Sequence, residues 1–145
     1  MSIQVIGLDR VRALIGDIPD DLFSEELLTE LGEFFVFKIK ERTAEGKDVD
    51  GNLFAKYSPK WAAFRAATGH ETDPVNLFFS GSMLGAMQVE ALPDDKQVRI
   101  YFMDTEDKTG AKNALKAKGL NDYRKFFDLS SDEVEASLEI IKGKV

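Results

Sequence analysis

The sequence predicts an α+β fold, in which a small antiparallel β-sheet packs with a long helix from the N-terminal half and a helix at the C-terminus. Apolar residues recur at helical spacing between residues 24 and 43 and again after residue 130. Two segments of alternating polarity flank the turn Pro93–Asp95, as in a hairpin. For a chain of 145 residues we expect a single domain, 1–145, with exposed loops at about 44–60 and 68–76.

The N-terminal part is predicted to hold a short strand and two helices. Ser2–Leu8 is an apolar stretch typical of an edge strand, and Asp9 can cap a short helix after it. Ser24 begins the clearest amphipathic helix, whose pattern continues to about Thr43. Gly46 is expected to end this helix, because glycine tolerates the left-handed conformation found after many helices.

The middle of the chain is predicted to consist of two polar loops around a short helix. The loops are Gly46–Pro59 and Thr68–Pro74, both rich in residues that favour turns. The helix between them is Lys60–Ala67, with Trp61 and Phe64 on one side. We expect these two aromatic side chains to lie in the core, since large aromatic residues at helical spacing are mostly buried.

The C-terminal half is predicted to hold a hairpin followed by helices. Met87–Leu92 and Gln97–Phe102 alternate in polarity and supply the two strands. Ala111–Lys118 is predicted to be helical or a loop, and Ser130 or Ser131 is predicted to cap a final helix. The buried face of that helix is predicted to contain Val134, Leu138 and Ile141.

Composition excludes several classes of function. The chain has no cysteine and one histidine, which excludes disulfides, thiol nucleophiles, Cys-based zinc sites and motifs that need two histidines. Its net charge of −7 disfavours non-specific binding to nucleic acid. No apolar run approaches the length of a membrane span, so we expect no contact with a membrane.

Two groups of polar residues were candidates for metal or catalytic chemistry. Asp48, Asp50 and Asn52 resemble the start of a calcium-binding loop, but Gly51 follows too early and no glutamate stands at the twelfth position, which favours a simple turn. A metal-dependent hydrolase that uses Asp48, Asp50 and His70 stays open as an alternative. The main prediction is a protein without enzyme activity, with no catalytic residue, no cofactor and no bound metal.

Charge is distributed unevenly along the chain. Between Arg12 and Lys38 there are acids and no bases: Asp17, Asp20, Asp21, Glu25, Glu26, Glu30 and Glu33. The later segment Lys108–Lys125 is rich in cations: Lys108, Lys112, Lys116, Lys118, Arg124 and Lys125. A nucleic-acid patch is conceivable there. We favour a self-assembly surface that faces the acidic part of another copy, because acids also lie in or beside the basic segment.

Three motifs carry a resemblance to a known family. They are Gly46–Phe54 with Tyr57–Trp61 (GKDVDGNLF and YSPKW), Leu77–Leu84 (LFFSGSML) and Arg124–Glu133 (RKFFDLSSDE). In this order the motifs resemble those of phage virion morphogenesis proteins, the tail-completion and neck proteins of tailed phages. The resemblance covers the chain from about Leu27 to the C-terminus. The family often has an aromatic-Ala and a His-Gln-x-Gly stretch before the closing arginine, where this chain reads AKNALKAKGL.

The resemblance implies a structural role in the virion. Such proteins form a ring, commonly of six subunits, that caps the tail tube and docks it to the head connector. The implied partners are other copies of the chain, the tail tube protein and the connector or adaptor proteins, and DNA would pass through the lumen without specific binding. The implied location is the tail or neck of the virion, after assembly in the host cytoplasm. The alternative from another class is a small adaptor that binds one phage or host protein as a monomer or dimer.

The residues predicted to form contacts come from the loop, the basic segment and the acidic helix. They are Lys47, Asp48, Asp50, Phe54, Tyr57, Lys108, Lys112, Lys116, Lys118, Arg124, Glu26 and Glu30. Structural explanations exist for several residues of the closing motif. Arg124 can pair with an acid of the last helix, and Phe126 and Phe127 can anchor that helix to the sheet.

Overall fold

An antiparallel sheet and a long helix packed across it organise this protein. The computed structural model describes residues 2–4 (backbone alone), 22–77, 81–103, 105–106 and 112–143. The predicted α+β class is confirmed, with the long helix in the N-terminal half and helical structure at the C-terminus. The described elements are β1 (Ser2–Gln4), α1 (Glu25–Ala44), α2 (Pro59–Ala67), α3 (Ser82–Gly85), β2 (Met87–Leu92), β3 (Gln97–Phe102), α4 (Asn113–Tyr123), α5 (Ser131–Ala136) and α6 (Leu138–Lys142).

The sheet has the order β1-β3-β2, with antiparallel pairing throughout. The predicted hairpin is confirmed: Met87 pairs with Phe102 and Leu92 with Gln97, and the turn Pro93–Asp95 connects the two strands. Alternate residues of β3 are buried, as expected for a strand with one face on the core. The predicted N-terminal edge strand is seen at Ser2–Gln4, and the short helix predicted after Asp9 lies outside the described residues.

Both ends of α1 follow from local chemistry. At its start, the Ser24 hydroxyl accepts a hydrogen bond of 3.2 Å from the Leu27 amide. At its end, Gly46 has a φ of 79° and donates to the Thr43 carbonyl at 2.9 Å, while Lys47 donates to the Arg42 carbonyl at 3.1 Å. This is the Schellman arrangement, which needs a residue that tolerates positive φ. The predicted helix and its termination by Gly46 are therefore confirmed.

A glycine in the middle of α1 sets the distance between the helix and the sheet. Gly32 is buried, and a Cβ added there would lie 2.6 Å from a methyl group of Val98 and closer still to Val89. The absence of a side chain therefore lets α1 lie close to β2 and β3, against which it packs. The helical pattern of the sequence did not reveal this role.

The C-terminal helices differ in detail from the prediction. Helix α4 occupies Asn113–Tyr123, so it begins and ends later than the predicted Ala111–Lys118. Ser130 caps the next helix in a capping box, in which the Ser130 hydroxyl accepts from the Glu133 amide and the Glu133 carboxylate accepts from the Ser130 amide. The final helix is divided into α5 and α6 at Ser137, whose hydroxyl donates to a backbone carbonyl of the preceding turn. The residues that were predicted to form the buried face of this C-terminal segment, Val134, Leu138 and Ile141, are buried.

Two phenylalanines join the C-terminal segment to the sheet, as predicted. Phe126 and Phe127 are buried, and their rings lie 6.1 and 4.7 Å from the ring of Phe102 on β3, both edge to face.

None of the helices in the described part of the chain has the length and hydropathy needed to cross a bilayer.

Candidate interaction surfaces

The loop after α1 is a tight turn organised by one carboxylate. Asp48 Oδ1 accepts hydrogen bonds of 2.9 Å from the amides of Asp50 and Asn52, and an antiparallel bridge joins Lys47 to Leu53. This arrangement confirms the turn interpretation of the segment. Lys47, Asp50 and Leu53 are exposed at the surface, so the loop presents two opposite charges and one large apolar side chain to solvent.

Phe54 does not fit the contact role predicted for it. Its side chain is 6% exposed and belongs to the core, and its amide donates to the Gly46 carbonyl at 2.8 Å. Phe54 therefore anchors the base of the loop. The physical reason is that burial of the phenyl ring removes a large apolar surface from water, which is favourable.

Arg124 holds the loop from the other end of the chain. Its guanidinium donates to the carbonyls of Ala55 at 3.0 Å and Lys56 at 3.2 Å. The same group lies over the rings of Tyr57 and Tyr123, 5.3 and 4.9 Å from their centroids. The expected pairing of Arg124 with an acid of the last helix is therefore wrong, since backbone carbonyls and aromatic faces occupy its guanidinium.

A backbone contact strengthens this connection. The Val49 amide donates to the Lys125 carbonyl at 2.9 Å, so loop 45–57 and the C-terminal end of α4 lie side by side. Leu53 and Tyr123 are strongly exposed on the surface that results. The first and third motifs of the family resemblance therefore meet in space, although about 70 residues separate Ala55 from Arg124 in the sequence. Nothing in the local sequence pattern pointed to this junction.

One acid of the C-terminal helices, Glu133, pairs with another arginine. Arg42 Nε lies 3.0 Å from Glu133 Oε2, and both side chains are buried. The rest of the Arg42 guanidinium donates to the carbonyls of Phe126 at 3.2 Å and Asp128 at 2.6 Å. Arg42 therefore fastens α1 to the C-terminal segment through charge-assisted hydrogen bonds.

The outer face of α1 is acidic and includes one aromatic residue. Glu26, Glu30 and Glu33 are exposed on this face, and Glu30 also takes part in a contact within the chain. One turn further along, the Phe37 side chain is 59% exposed, and Glu41 follows it at the same spacing. The exposure of Phe37 was not predicted, because it follows two other phenylalanines in a segment that looks uniformly apolar.

The outer face of α4, together with its N-cap, carries three lysines of the basic segment. Lys112 and Lys118 are exposed, Lys116 is half-buried, and Lys108 lies outside the described residues. Between Lys112 and Lys118 the side chain of Leu115 is 67% exposed. Lys112 and Lys116 also take part in interactions within the chain. The outer surface of α4 therefore presents an exposed leucine with one exposed lysine on each side of it along the sequence.

Helix α2 exposes the aromatic residues that were expected in the core. Trp61 and Phe64 are 40% and 48% exposed, and their rings stack on each other with centroids 5.1 Å apart. The buried side chain of α2 is Arg65, which donates to the Glu71 carbonyl at 2.7 Å and lies over the Tyr57 ring at 4.6 Å. The core prediction is wrong because this helix is fixed through its arginine, which leaves the aromatic side facing outwards.

The residues of the metal-dependent alternative serve local structure. Asp48 organises its turn, and the Nδ1 atom of His70 lies 2.9 Å from the Thr68 hydroxyl in a hydrogen bond. Within the ranges that the structure describes, His, Asp and Glu side chains form no group of three that could hold a metal ion. The described geometry thus gives Asp48, Asp50 and His70 no shared ligand position.

Comparison of the chain with protein-family models, with curated proteins and with solved structures gave no match. We therefore infer the function from the surfaces described above and from the motifs of the sequence.

Proposed function

We propose that this protein is a structural subunit of a phage ring that completes the tail or joins it to the head. The observation that carries the proposal is the presence of two outward helical faces of opposite charge, the acidic face of α1 and the basic face of α4. Because these faces lie on different helices, a copy can bind one neighbour through each face, and such head-to-tail contacts produce closed rings when the rotation per subunit allows closure.

The loop surface supports a docking role in the same ring. The first and third motifs that resemble the phage family meet where Arg124 binds the carbonyls of Ala55 and Lys56. Exposed Leu53 and Tyr123 lie on that surface. Rigid support beneath exposed apolar and aromatic side chains is typical of surfaces that bind other proteins. We assign this surface to the contact with the tail tube or the head connector.

The overall charge supports passage of DNA without binding. A net charge of −7 repels the phosphate backbone at moderate salt concentrations. A ring lumen of the same sign would let DNA slide through. In this proposal the lysines of α4 are covered by subunit contacts, which removes the main cationic surface from the path of the DNA.

A second candidate function is an adaptor that binds one protein as a monomer or dimer. The stacked pair of Trp61 and Phe64 on the outside of α2 favours it. Exposed aromatic side chains of this kind are frequent anchors in protein interfaces. This function needs no contact between α1 and α4 of different copies, so the oligomeric state separates the two candidates.

The first test is the solution mass by light scattering, from micromolar to near-millimolar protein. The ring proposal expects growth from the 16.2 kDa monomer towards a closed species of about six subunits. Negative-stain images of that species should show a central channel, and a gel-shift assay should show no retention of duplex DNA. A monomer or a dimer at every concentration would favour the adaptor.

A further inference from the structure

We propose that three residues of α1 in one copy bind two residues of α4 and its N-cap residue in the next copy, with an apolar contact between two charged pairs. The acidic row is Glu33, Phe37 and Glu41, and the basic row is Lys112, Leu115 and Lys118. The occupant of each row is a second copy of this chain. This inference rests on the proposed function, since it names the contact that builds the ring.

The acidic row is a continuous line on the outside of α1. Its members are four residues apart, which places them on one helix face with a rise of about 6 Å between neighbours. All are exposed, and Phe37 is the most exposed aromatic side chain of this helix. Glu41 also has an ion pair of 3.4 Å with Lys38 on its own helix. An exposed pair of this kind is weak, so Glu41 can exchange it for a lysine of a neighbouring copy.

The basic row has the same design with the opposite charge. Lys112 stands at the start of α4, and Leu115 and Lys118 follow at intervals of three residues, with a rise of about 4.5 Å between neighbours. All are exposed, and Leu115 is the most exposed apolar residue of the helix after Tyr123. Lys112 also takes part in an interaction within its own chain, and the proposed contact adds a glutamate of the next copy to its surroundings.

The two rows fit each other in order, spacing and charge. When Phe37 lies against Leu115, each glutamate falls within about 1.5 Å along the helix axis of a lysine, a difference that these long side chains absorb. The centre of the contact is then apolar and its edges are charged, which is the usual arrangement of protein interfaces. Opposite charges on both sides of the apolar contact also fix the register and disfavour contact between two identical rows.

The positions of the helices in the fold allow a heterologous contact, in which each row of a subunit binds a different neighbour. Helix α1 packs on β2 and β3, whereas α4 packs on α3 and on β3. Each row lies on the outer side of its own helix, so a subunit can offer both rows at once to two different neighbours. This is the requirement for a chain of contacts that closes into a ring.

Two charge-reversed variants test the pairing directly. The acidic-row variant carries Glu33→Lys and Glu41→Lys, and the basic-row variant carries Lys112→Glu and Lys118→Glu. Each variant alone has two rows of the same sign, whereas an equimolar mixture restores opposite charges at every contact. A control variant, Asp94→Lys with Asp95→Lys in the exposed turn between β2 and β3, has the same change in net charge as the acidic-row variant.

Association is measured by light scattering and by fluorescence transfer between labelled copies, after circular dichroism has shown that each variant is folded. We expect each row variant alone to associate at least about tenfold more weakly than the wild type, because facing charges then repel. The equimolar mixture should recover association as an alternating ring with an even number of subunits. The control variant should associate like the wild type.

The outcomes separate this inference from the proposed function. Wild-type rings together with a mixture that does not recover would overturn the row pairing and leave the ring intact. If either row variant alone associates as strongly as the wild type, the row pairing is also overturned and the ring proposal is not. A wild-type protein that stays monomeric to near-millimolar concentration would overturn both. Recovery in the mixture, and in neither variant by itself, supports the contact between the rows. Growth of the recovered species beyond a dimer supports its head-to-tail geometry, and a mixture that stops at a dimer would overturn that geometry.

Discussion

Arg42 and Glu133, separated by 91 residues in the sequence, form a buried ion pair with 3.0 Å between Nε and Oε2. The Glu133 carboxylate also accepts from the Ser130 amide at 2.8 Å, and so closes the capping box of α5. One carboxylate thus caps a helix and neutralises a guanidinium that binds the carbonyls of Phe126 and Asp128. The pair fixes the C-terminal segment on the end of α1.

We predict that Glu133→Ala lowers the free energy of unfolding by about 3 kcal/mol or more, because it leaves a buried arginine without its counter-charge. Urea denaturation monitored by circular dichroism measures the change. Glu135→Ala is the matched control, since Glu135 is exposed on the same helix and its loss should cost less than about 0.5 kcal/mol. Equal effects of the two substitutions would contradict the assigned role of Glu133.

Two glycines within helices should respond to alanine in opposite directions. Gly32→Ala places a methyl group against Val89 and Val98, and should destabilise the protein by about 1–3 kcal/mol despite the better helix propensity of alanine. Gly119→Ala in α4 meets nothing within 4 Å and should stabilise the protein by up to about 1 kcal/mol. Thermal melts of both variants provide the comparison. Stabilisation by Gly32→Ala would show that α1 and the sheet are less closely packed than described.

Arg124→Ala should release the loop that Arg124 holds. Its guanidinium bonds to the carbonyls of Ala55 and Lys56 are lost, which should cost about 1.5 kcal/mol, a usual value for hydrogen bonds to charged groups. Amide hydrogen exchange at Val49 should become faster, because this amide bonds to the neighbouring Lys125 carbonyl. Lys125→Ala keeps that carbonyl and serves as the control. Unchanged exchange at Val49 in Arg124→Ala would mean that the loop does not depend on the arginine.

Phe37→Ser should weaken association without weakening the fold. Phe37 is exposed, so its removal should change the free energy of unfolding by less than about 0.5 kcal/mol. In the proposed ring it contacts Leu115 of the next copy, and we expect the apparent mass at a given concentration to fall. Leu53→Ser, an exposed apolar residue outside both rows, is the control for association and should have no effect on it. Equal association of Phe37→Ser and wild type would exclude an apolar centre of the contact.

Local signals in the sequence predicted most elements of the fold. The hairpin strands, the Ser24 cap, the Gly46 stop and the buried face of the last helix are where the pattern placed them. These features depend on neighbours within about five residues, through capping hydrogen bonds, backbone conformation and the period of apolar residues. The candidate surfaces were predicted in part, since the charges of the acidic helix and the basic segment are visible in the sequence.

The errors have a common physical cause. Trp61 and Phe64 are exposed because Arg65 takes the inner side of α2, and Phe54 is buried because it anchors a loop. A helix places apolar and polar residues on faces, but the partner that packs against a face is set by the rest of the fold. Hydrophobicity alone could not predict that Arg65 is buried and Trp61 is exposed. The free energy of burying an arginine depends on hydrogen-bond acceptors such as the Glu71 carbonyl, and only the folded chain supplies them.

By itself the sequence determined most of the secondary structure, the α+β class and the opposite charges of two segments, because each is encoded in short-range patterns. The tertiary structure decided which arginine pairs with Glu133, that Arg124 joins the loop to α4, and that Phe37 and Leu115 are exposed. These are contacts between residues tens of positions apart, or faces left uncovered after packing. They depend on the simultaneous placement of all elements, and no local pattern of residues specifies that placement.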